Sequence, residues 1–250
     1  MWRKSKIWLA VAALSALCVS VAPASGAPVK KDRFYYEQRG EIVWEVKTDQ
    51  KIIALTFDDG PDPKQTPAIL DLLKKYNAYS TFFVIGKKAT DYPEIVRRIV
   101  EEGHELANHT YNHVYFKSSS SPKQIRQEIT QAQDAIHQAA NVKPSLFRPP
   151  GGMYTGAVVD AAKYMGLKMV MWSWHQDTRD WNLPGVQKIV KKVLGNARNG
   201  DIVLFHDHVV GRTQTIKALE IILPDLQKRG YRFETVSNLL KYSTSQPINK

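Results

Sequence analysis

The stretch IIALTFDDGP, residues 52–61, decides the fold. Ile52 to Phe57 is a short apolar run of strand length. A strand that does not alternate polar with apolar residues is buried on both faces, and such strands belong to parallel sheets. Asp58-Asp59 ends the run, and Gly60-Pro61 supplies a turn. Working outward, Thr66–Tyr76 places Ile69, Leu72, Leu73 and Tyr76 on one helical face. The same alternation continues. The sequence predicts strands at 81–85, 105–108, 146–148, 167–172, 202–205 and 233–236. Between them it predicts helices at 93–102, 121–140, 155–165, 185–197 and 213–229. Gly103, Gly166 and Gly230 close three of these helices, and Ser121-Pro122 opens the longest.

Strand and helix alternate about seven times. Each parallel connection must cross over, so the order implies a parallel sheet with helices outside it. The expected fold class is α/β, a distorted (β/α) barrel of about seven parallel strands, favoured over a flat doubly wound sheet. The alternation by itself does not separate the two. No linker divides the chain, so one domain is expected over residues 41–240. Glu41–Val46 alternates and is read as a short strand or hairpin arm. Residues 25–40 are read as a flexible polar lead-in and 241–250 as a polar tail.

The chain has 250 residues, 43% apolar and 24% charged, with mean hydropathy −0.35. These values exclude a disordered, collagen-like or multi-span membrane protein. A domain of this size buries roughly 70–75% of its unfolded surface. It needs no ion merely to fold, so any metal serves chemistry. The one long apolar run is at the start. Arg3, Lys4 and Lys6 precede the apolar segment Ile7–Val21, and Ala22-Pro23-Ala24 follows. This is the pattern of a signal peptide at residues 1–24, for a secreted or cell-wall protein. An uncleaved membrane anchor is the alternative. Cys18, the single cysteine, lies inside this segment, so the mature chain would have no disulfide and no thiolate.

The formal charge is +11, and +8 once residues 1–24 are removed. A basic exterior protein is drawn to polyanions. Nucleic-acid motifs are absent from the sequence, so an anionic cell wall is the expected partner. A surface kept soluble by Lys and Arg accounts for the charge equally well.

The chemically apt residues fall at successive strand ends, where parallel α/β folds bind ligands. Asp58 and Asp59 follow the first strand, and the turn after them lets both reach one mouth. In Asn108-His109-Thr110-Tyr111-Asn112-His113 the histidines are four apart, so one helical turn would align them. Two imidazoles and a carboxylate suit Zn, Co or Fe rather than Mg alone. Arg148-Pro149-Pro150-Gly151 follows the fourth strand, Asp177-Thr178-Arg179-Asp180-Trp181 the fifth, and His206 ends the sixth. Each alone is matched by a bland alternative: a turn, a surface histidine pair, a solvated loop. Their convergence is not.

The ordered set TFDDG, HTYNH, RPPG, DTRDW and LFH resembles the polysaccharide deacetylases of carbohydrate esterase family 4, the NodB-homology domain, over about Lys51–Leu240. The resemblance implies Asp58 as general base and Asp59, His109 and His113 as ligands of a divalent metal, zinc first and cobalt second. It implies Arg148 as the residue orienting the base, and Gly151 as oxyanion donor through its N–H. Asp177 would tune the acid, His206 would be the general acid, and Trp181 and Leu204 would line the acyl groove. The implied activity is N-deacetylation of peptidoglycan or chitooligosaccharide by a monomer, with peptidoglycan N-acetylglucosamine favoured.

Two positions depart from the family pattern. Many relatives carry an aromatic residue where Gly151 stands, so a wall of the pocket is lost, and Val114 stands where Pro often follows the second histidine. Competing assignments are a Mg-dependent phosphatase with Asp58 as nucleophile, an O-acetyl xylan esterase of the same family, and a non-catalytic basic wall-binding module. The first is disfavoured, because Gly60 stands where haloacid-dehalogenase-like enzymes need a second Asp.

Overall fold

The computed structural model describes residues 31–208 and 214–244. The signal-peptide assignment lies outside them. The described residues form eight strands, β1 (Ile42–Val43), β2 (Ile52–Asp58), β3 (Ser80–Val84), β4 (Glu105–Asn108), β5 (Leu146–Phe147), β6 (Lys168–Val170), β7 (Ile202–His206) and β8 (Arg232–Phe233). They pair in parallel in the order β1-β6-β5-β4-β3-β2-β7, with β8 added to the lower part of β2. Beyond β6 the chain bends round to β7. The Ser173 N–H donates to the Ile202 carbonyl at 3.0 Å, and Asp177 bridges Leu204 in parallel. These contacts curl the sheet into the expected distorted barrel.

Alternation along the strands explains both the core and the site. Ile53, Leu55 and Phe57 of β2, Phe82 and Val84 of β3, and Val203 and Phe205 of β7 point outward. There they pack against α2 (Gln65–Lys75), α4 (Pro93–Glu101), α7 (Val186–Leu194) and α8 (Gln214–Lys228). Ile52, Ala54, Phe83, Ala107, Leu146, Val170 and Ile202 point inward and fill the barrel. Because side chains alternate with period two, the next inward positions toward the C-terminal end are Thr56 and Asp58, His109, Arg148, Leu204 and His206. The packed interior of the barrel is the floor of the site.

Several elements differ from expectation. Arg33–Gln38 form a helix, α1, capped by the Asp32 carboxylate, where composition alone reads as a lead-in. Tyr36 is buried and anchors it against Trp44 and α6 (Gly156–Tyr164). The segment at 41–46 is no hairpin arm: β1 pairs in parallel with β6. The last predicted strand is only Arg232–Phe233. Thr235 then caps a helix, Val236–Leu240, whose Val236 and Leu239 sit with the barrel-filling residues. A short helix, Gly86–Asp91, was invisible to periodicity because it spans less than two turns.

Candidate active site and metal centre

Asp58 is the last residue of β2, and its register partner on β7 is His206. Its carboxylate is buried, a position tolerable only with a paired charge. Arg148 supplies it: one guanidinium nitrogen lies 2.6 Å from Asp58 Oδ1 and 3.0 Å from Thr56 Oγ1. The other guanidinium nitrogens donate to the carbonyls of Val170 and Met171 at 3.0 and 2.7 Å. Arg148 is fully buried, with its guanidinium 3.9 Å from the Phe83 ring centroid. Burial lowers its pKa from the ordinary arginine value, and Asp58 offsets part of that. Every bond it makes fixes one orientation of the Asp58 carboxylate.

The Arg148 main chain has a second task. Its carbonyl lies 2.7 Å from His109 Nδ1. A carbonyl only accepts, so Nδ1 carries the proton and Nε2 presents a lone pair. That lone pair faces Asp59 Oδ1 at 3.3 Å, and His113 Nε2 approaches the same oxygen at 2.9 Å. Asp59 Oδ1 is buried yet accepts no aligned hydrogen bond. One ligand atom from each of the three residues lies within 4.8 Å of the others. A carboxylate oxygen and a tautomer-fixed imidazole lone pair that face one another need a cation between them, so the residues fit a divalent metal. Burial opposes ionisation of Asp59, but the two imidazoles hold its carboxyl well below the usual carboxylate range.

The histidines are not brought together by a helical turn, as their spacing predicts. Residues 109–121 form a loop in which Thr110 and His113 both adopt left-handed backbone, with φ of 65° and 57°. Asp59 is left-handed too, at φ 75°. Such strain in non-glycine residues persists only where surroundings over-determine it. Here the surroundings are explicit. The Glu128 carboxylate, from α5 (Pro122–Ala140), accepts from the backbone N–H groups of Tyr111 and Asn112 and from the Asn112 amide, at 3.1, 2.8 and 2.8 Å. Asn108 Oδ1 accepts from Thr110 N–H, and Lys88 Nζ donates to the Asp59 carbonyl at 2.6 Å. Sequence spacing offers no sign of Glu128, Lys88 or Asn108.

On the other side of the mouth the acid–base partner differs from expectation. His206 Nδ1 lies 2.7 Å from Asp180 Oδ1, not against Asp177. Asp180 is fully buried and also accepts from Thr215 Oγ1 at 2.7 Å. Asp177 instead accepts from the Arg179 N–H of its own turn, and its main chain bridges to β7. The left-handed Arg179, φ 50°, turns the chain so that the second Asp of DTRDW points under β7. Burial favours a neutral His206. Asp180 outweighs that, with Asp58 and Asp59 adding to it, and the imidazole is pushed up to about 9.

Among the remaining expected residues, Leu204 is buried on the same face of β7 as His206, and Trp181 is half exposed beside Asp180. Gly151 sits in a single 3-10 turn, Pro150–Gly152, with φ 61°.

A distorted α/β barrel whose mouth carries a buried carboxylate, an Asp-His-His cluster that fits a metal and a buried Asp–His pair has the make-up of a metal-assisted hydrolase site. The polysaccharide deacetylase family model matches residues 45–170, and the chain belongs to that family. A peptidoglycan-N-acetylglucosamine deacetylase of Bacillus cereus is 50% identical over 206 residues, which cover 82% of this chain and 96% of the relative. A solved peptidoglycan N-acetylglucosamine deacetylase superposes with TM-score 0.78 at 32% identity, over 86% of this chain and all of that one. A family 4 acetyl xylan esterase from Clostridium thermocellum, solved with a cobalt ion, superposes with TM-score 0.71 at 35% identity, over 76% and 91% of the two chains.

Proposed function

We propose that this protein is an exported, metal-dependent N-deacetylase acting on N-acetylglucosamine of peptidoglycan, releasing acetate and a free amine. One observation carries the proposal: Asp58, the Asp59–His109–His113 triad and the Asp180–His206 pair converge at one barrel mouth. The names of the Bacillus cereus relative and of the solved deacetylase favour the peptidoglycan substrate.

Zinc, or cobalt as in the xylan esterase, would be held by Asp59, His109 and His113 and would acidify a bound water and polarise the acetyl carbonyl. Asp58, fixed by Arg148, takes the water's proton as the water attacks the acetyl carbon. The Gly151 N–H donates to the carbonyl oxygen as charge builds on it, a contribution worth about 3–4 kcal/mol in comparable sites. His206 is protonated at neutral pH through Asp180 and gives its proton to the departing nitrogen. Leu204 and Trp181 face the acetyl methyl. Export rests on the positively charged start, the apolar run and Ala22-Pro23-Ala24. No helix of the described residues is long and apolar enough to cross a membrane.

The test is acetate release by purified zinc-loaded protein from peptidoglycan, chitin oligomers and acetylated xylan, with Asp58→Asn as control. Acetate from peptidoglycan, lost in the variant, is the expected result. Acetate from xylan alone would make the protein an O-acetyl esterase. No acetate from any of the three would leave a wall-binding module. The sequence of the exported protein's N-terminus should begin near Ser25, and a start at Met1 would favour an anchor.

A further inference from the structure

Gly151, in the turn after β5, brings no side chain to the mouth. Gly151 is left-handed, and a Cβ built on it would lie 2.6 Å from Tyr115 Cε1 and 3.0 Å from Cδ1. The space a side chain at 151 would enter is therefore already filled by the Tyr115 ring. Tyr115 arrives from the loop after β4, the strand next to β5, two residues after His113. Its ring stands edge-on to the His113 imidazole, with centroids 5.2 Å apart and planes at 83°. Yet Tyr115 is 56% exposed. Its neighbours account for the backbone: Phe116 is fully buried and Val114 packs against the same cluster, so the segment is anchored without the Tyr115 ring. The ring is thus held at a fixed place between a metal ligand and Gly151, with a face left over. Met153, 44% exposed, continues the apolar surface 3.8 Å from the same Cβ position.

We propose that Tyr115 is a specificity-determining residue: its ring fills the space beside Gly151, and its open face packs against the pyranose ring of the N-acetylated sugar. This rests on the deacetylase function proposed above. Aromatic rings are the usual partners for a surface with one apolar face and polar edges, because they bury area at small entropic cost.

The experiment is calorimetric binding of a chitin oligomer to zinc-loaded Asp58→Asn protein, with and without Tyr115→Ala and Tyr115→Phe. Zinc content and hydrolysis of an aryl acetate, which carries no sugar, are measured alongside in the Asp58-containing protein. Tyr115→Ala should weaken oligomer binding about tenfold. Tyr115→Phe should bind like the parent, and zinc content and aryl acetate hydrolysis should stay within about twofold. Unchanged oligomer affinity in Tyr115→Ala, or no binding by the parent, would overturn the proposal. So would a joint loss of zinc and aryl acetate hydrolysis, which would make the ring a prop for His113. Binding is read without turnover, so an enzyme that releases no acetate would sink the deacetylase function and leave the Tyr115 contact measurable.

Discussion

Asp180 holds His206 at two points: one carboxylate oxygen faces ring Nδ1 at 2.7 Å, and the other accepts the His206 backbone N–H at 2.9 Å. The imidazole is raised from its usual 6.5 to about 9. A group that must be protonated to act, and that loses its proton near 9, sets the basic limb of kcat/KM near pH 9. Asp180→Asn should move that limb to lower pH, because burial is then opposed only by the Asp58 and Asp59 charges. Asp177→Asn should leave it in place. His206→Ala should cost about 10²–10⁴-fold in turnover with metal retained. The stability consequence has a definite sign. A raised imidazole stabilises the fold fully below pH 6.5, and that contribution disappears as pH rises through 9. Melting temperature against pH, compared between parent and Asp180→Asn, checks this. A limb moved by Asp177→Asn rather than Asp180→Asn would contradict the assignment.

His109→Ala and His113→Ala should each abolish tight zinc binding and activity together, while the fold survives. The large core does not depend on one ion. The expected loss of stability is about 1 kcal/mol or less for His113, which is part exposed, and larger for buried His109, whose loss also strands the Arg148 carbonyl. Metal content by elemental analysis and urea unfolding of the metal-free proteins separate the two effects. A variant retaining stoichiometric zinc would remove that histidine from the ligand set.

Glu128 touches neither the metal ligands nor the mouth, yet it gathers three N–H donors of the loop between His109 and His113. Glu128→Ala should weaken zinc affinity about 10–100-fold, the range seen when groups behind a ligand are removed. Glu128→Gln should fall between the parent and Glu128→Ala, because the amide oxygen can keep the two backbone N–H bonds while the amide nitrogen cannot accept from the Asn112 amide. Competition with a calibrated chelator measures it, and unchanged affinity in Glu128→Ala would mean the loop is held by Asn108 and the sheet alone.

The apolar runs and their spacing carried the barrel, since a strand buried on both faces leaves a signature in five residues. The motifs carried Asp58, Asp59, His109, His113, Arg148 and His206 to one mouth. Two local arrangements were out of reach. DTRDW offers two carboxylates, and only the left-handed Arg179 decides which one lies under His206. The histidine spacing suits a helix, but the loop is shaped by Glu128 of the following helix, α5, and nothing in the local spacing ties that carboxylate to Tyr111 and Asn112. Short elements failed for a related reason: α1 and the helix at Val236–Leu240 are fixed by Tyr36, Val236 and Leu239 burying against distant strands, which no local pattern records.

Gly60 separates the carboxylates of Asp58 and Asp59 from a third one. A Cβ built on it would lie 2.1 Å from Asp207 Oδ2, closer than any real contact. Asp207 cannot step aside. It is buried, its Oδ2 accepts from Thr66 Oγ1 at 2.6 Å, and its N–H donates to the Asp58 carbonyl at 3.1 Å. Gly60→Ala must therefore push the Asp58–Asp59 turn outward or break the Thr66 bond. A cost of about 1–3 kcal/mol in stability is expected for such overpacking. A shift of about 1 Å in the turn would lower kcat/KM by about 10²-fold. Asp207→Ala makes room for the methyl group at the expense of leaving Thr66 without its acceptor. The double variant Gly60→Ala, Asp207→Ala should then be more stable than the sum of the single losses predicts, with a coupling of about 0.5–3 kcal/mol, and should recover part of the activity lost by Gly60→Ala. Urea unfolding and kcat/KM on the four proteins of the cycle measure both quantities. Strict additivity in stability would show that the backbone at Gly60 relaxes away from Asp207 freely, and the close approach would then have no part in positioning Asp58 and Asp59.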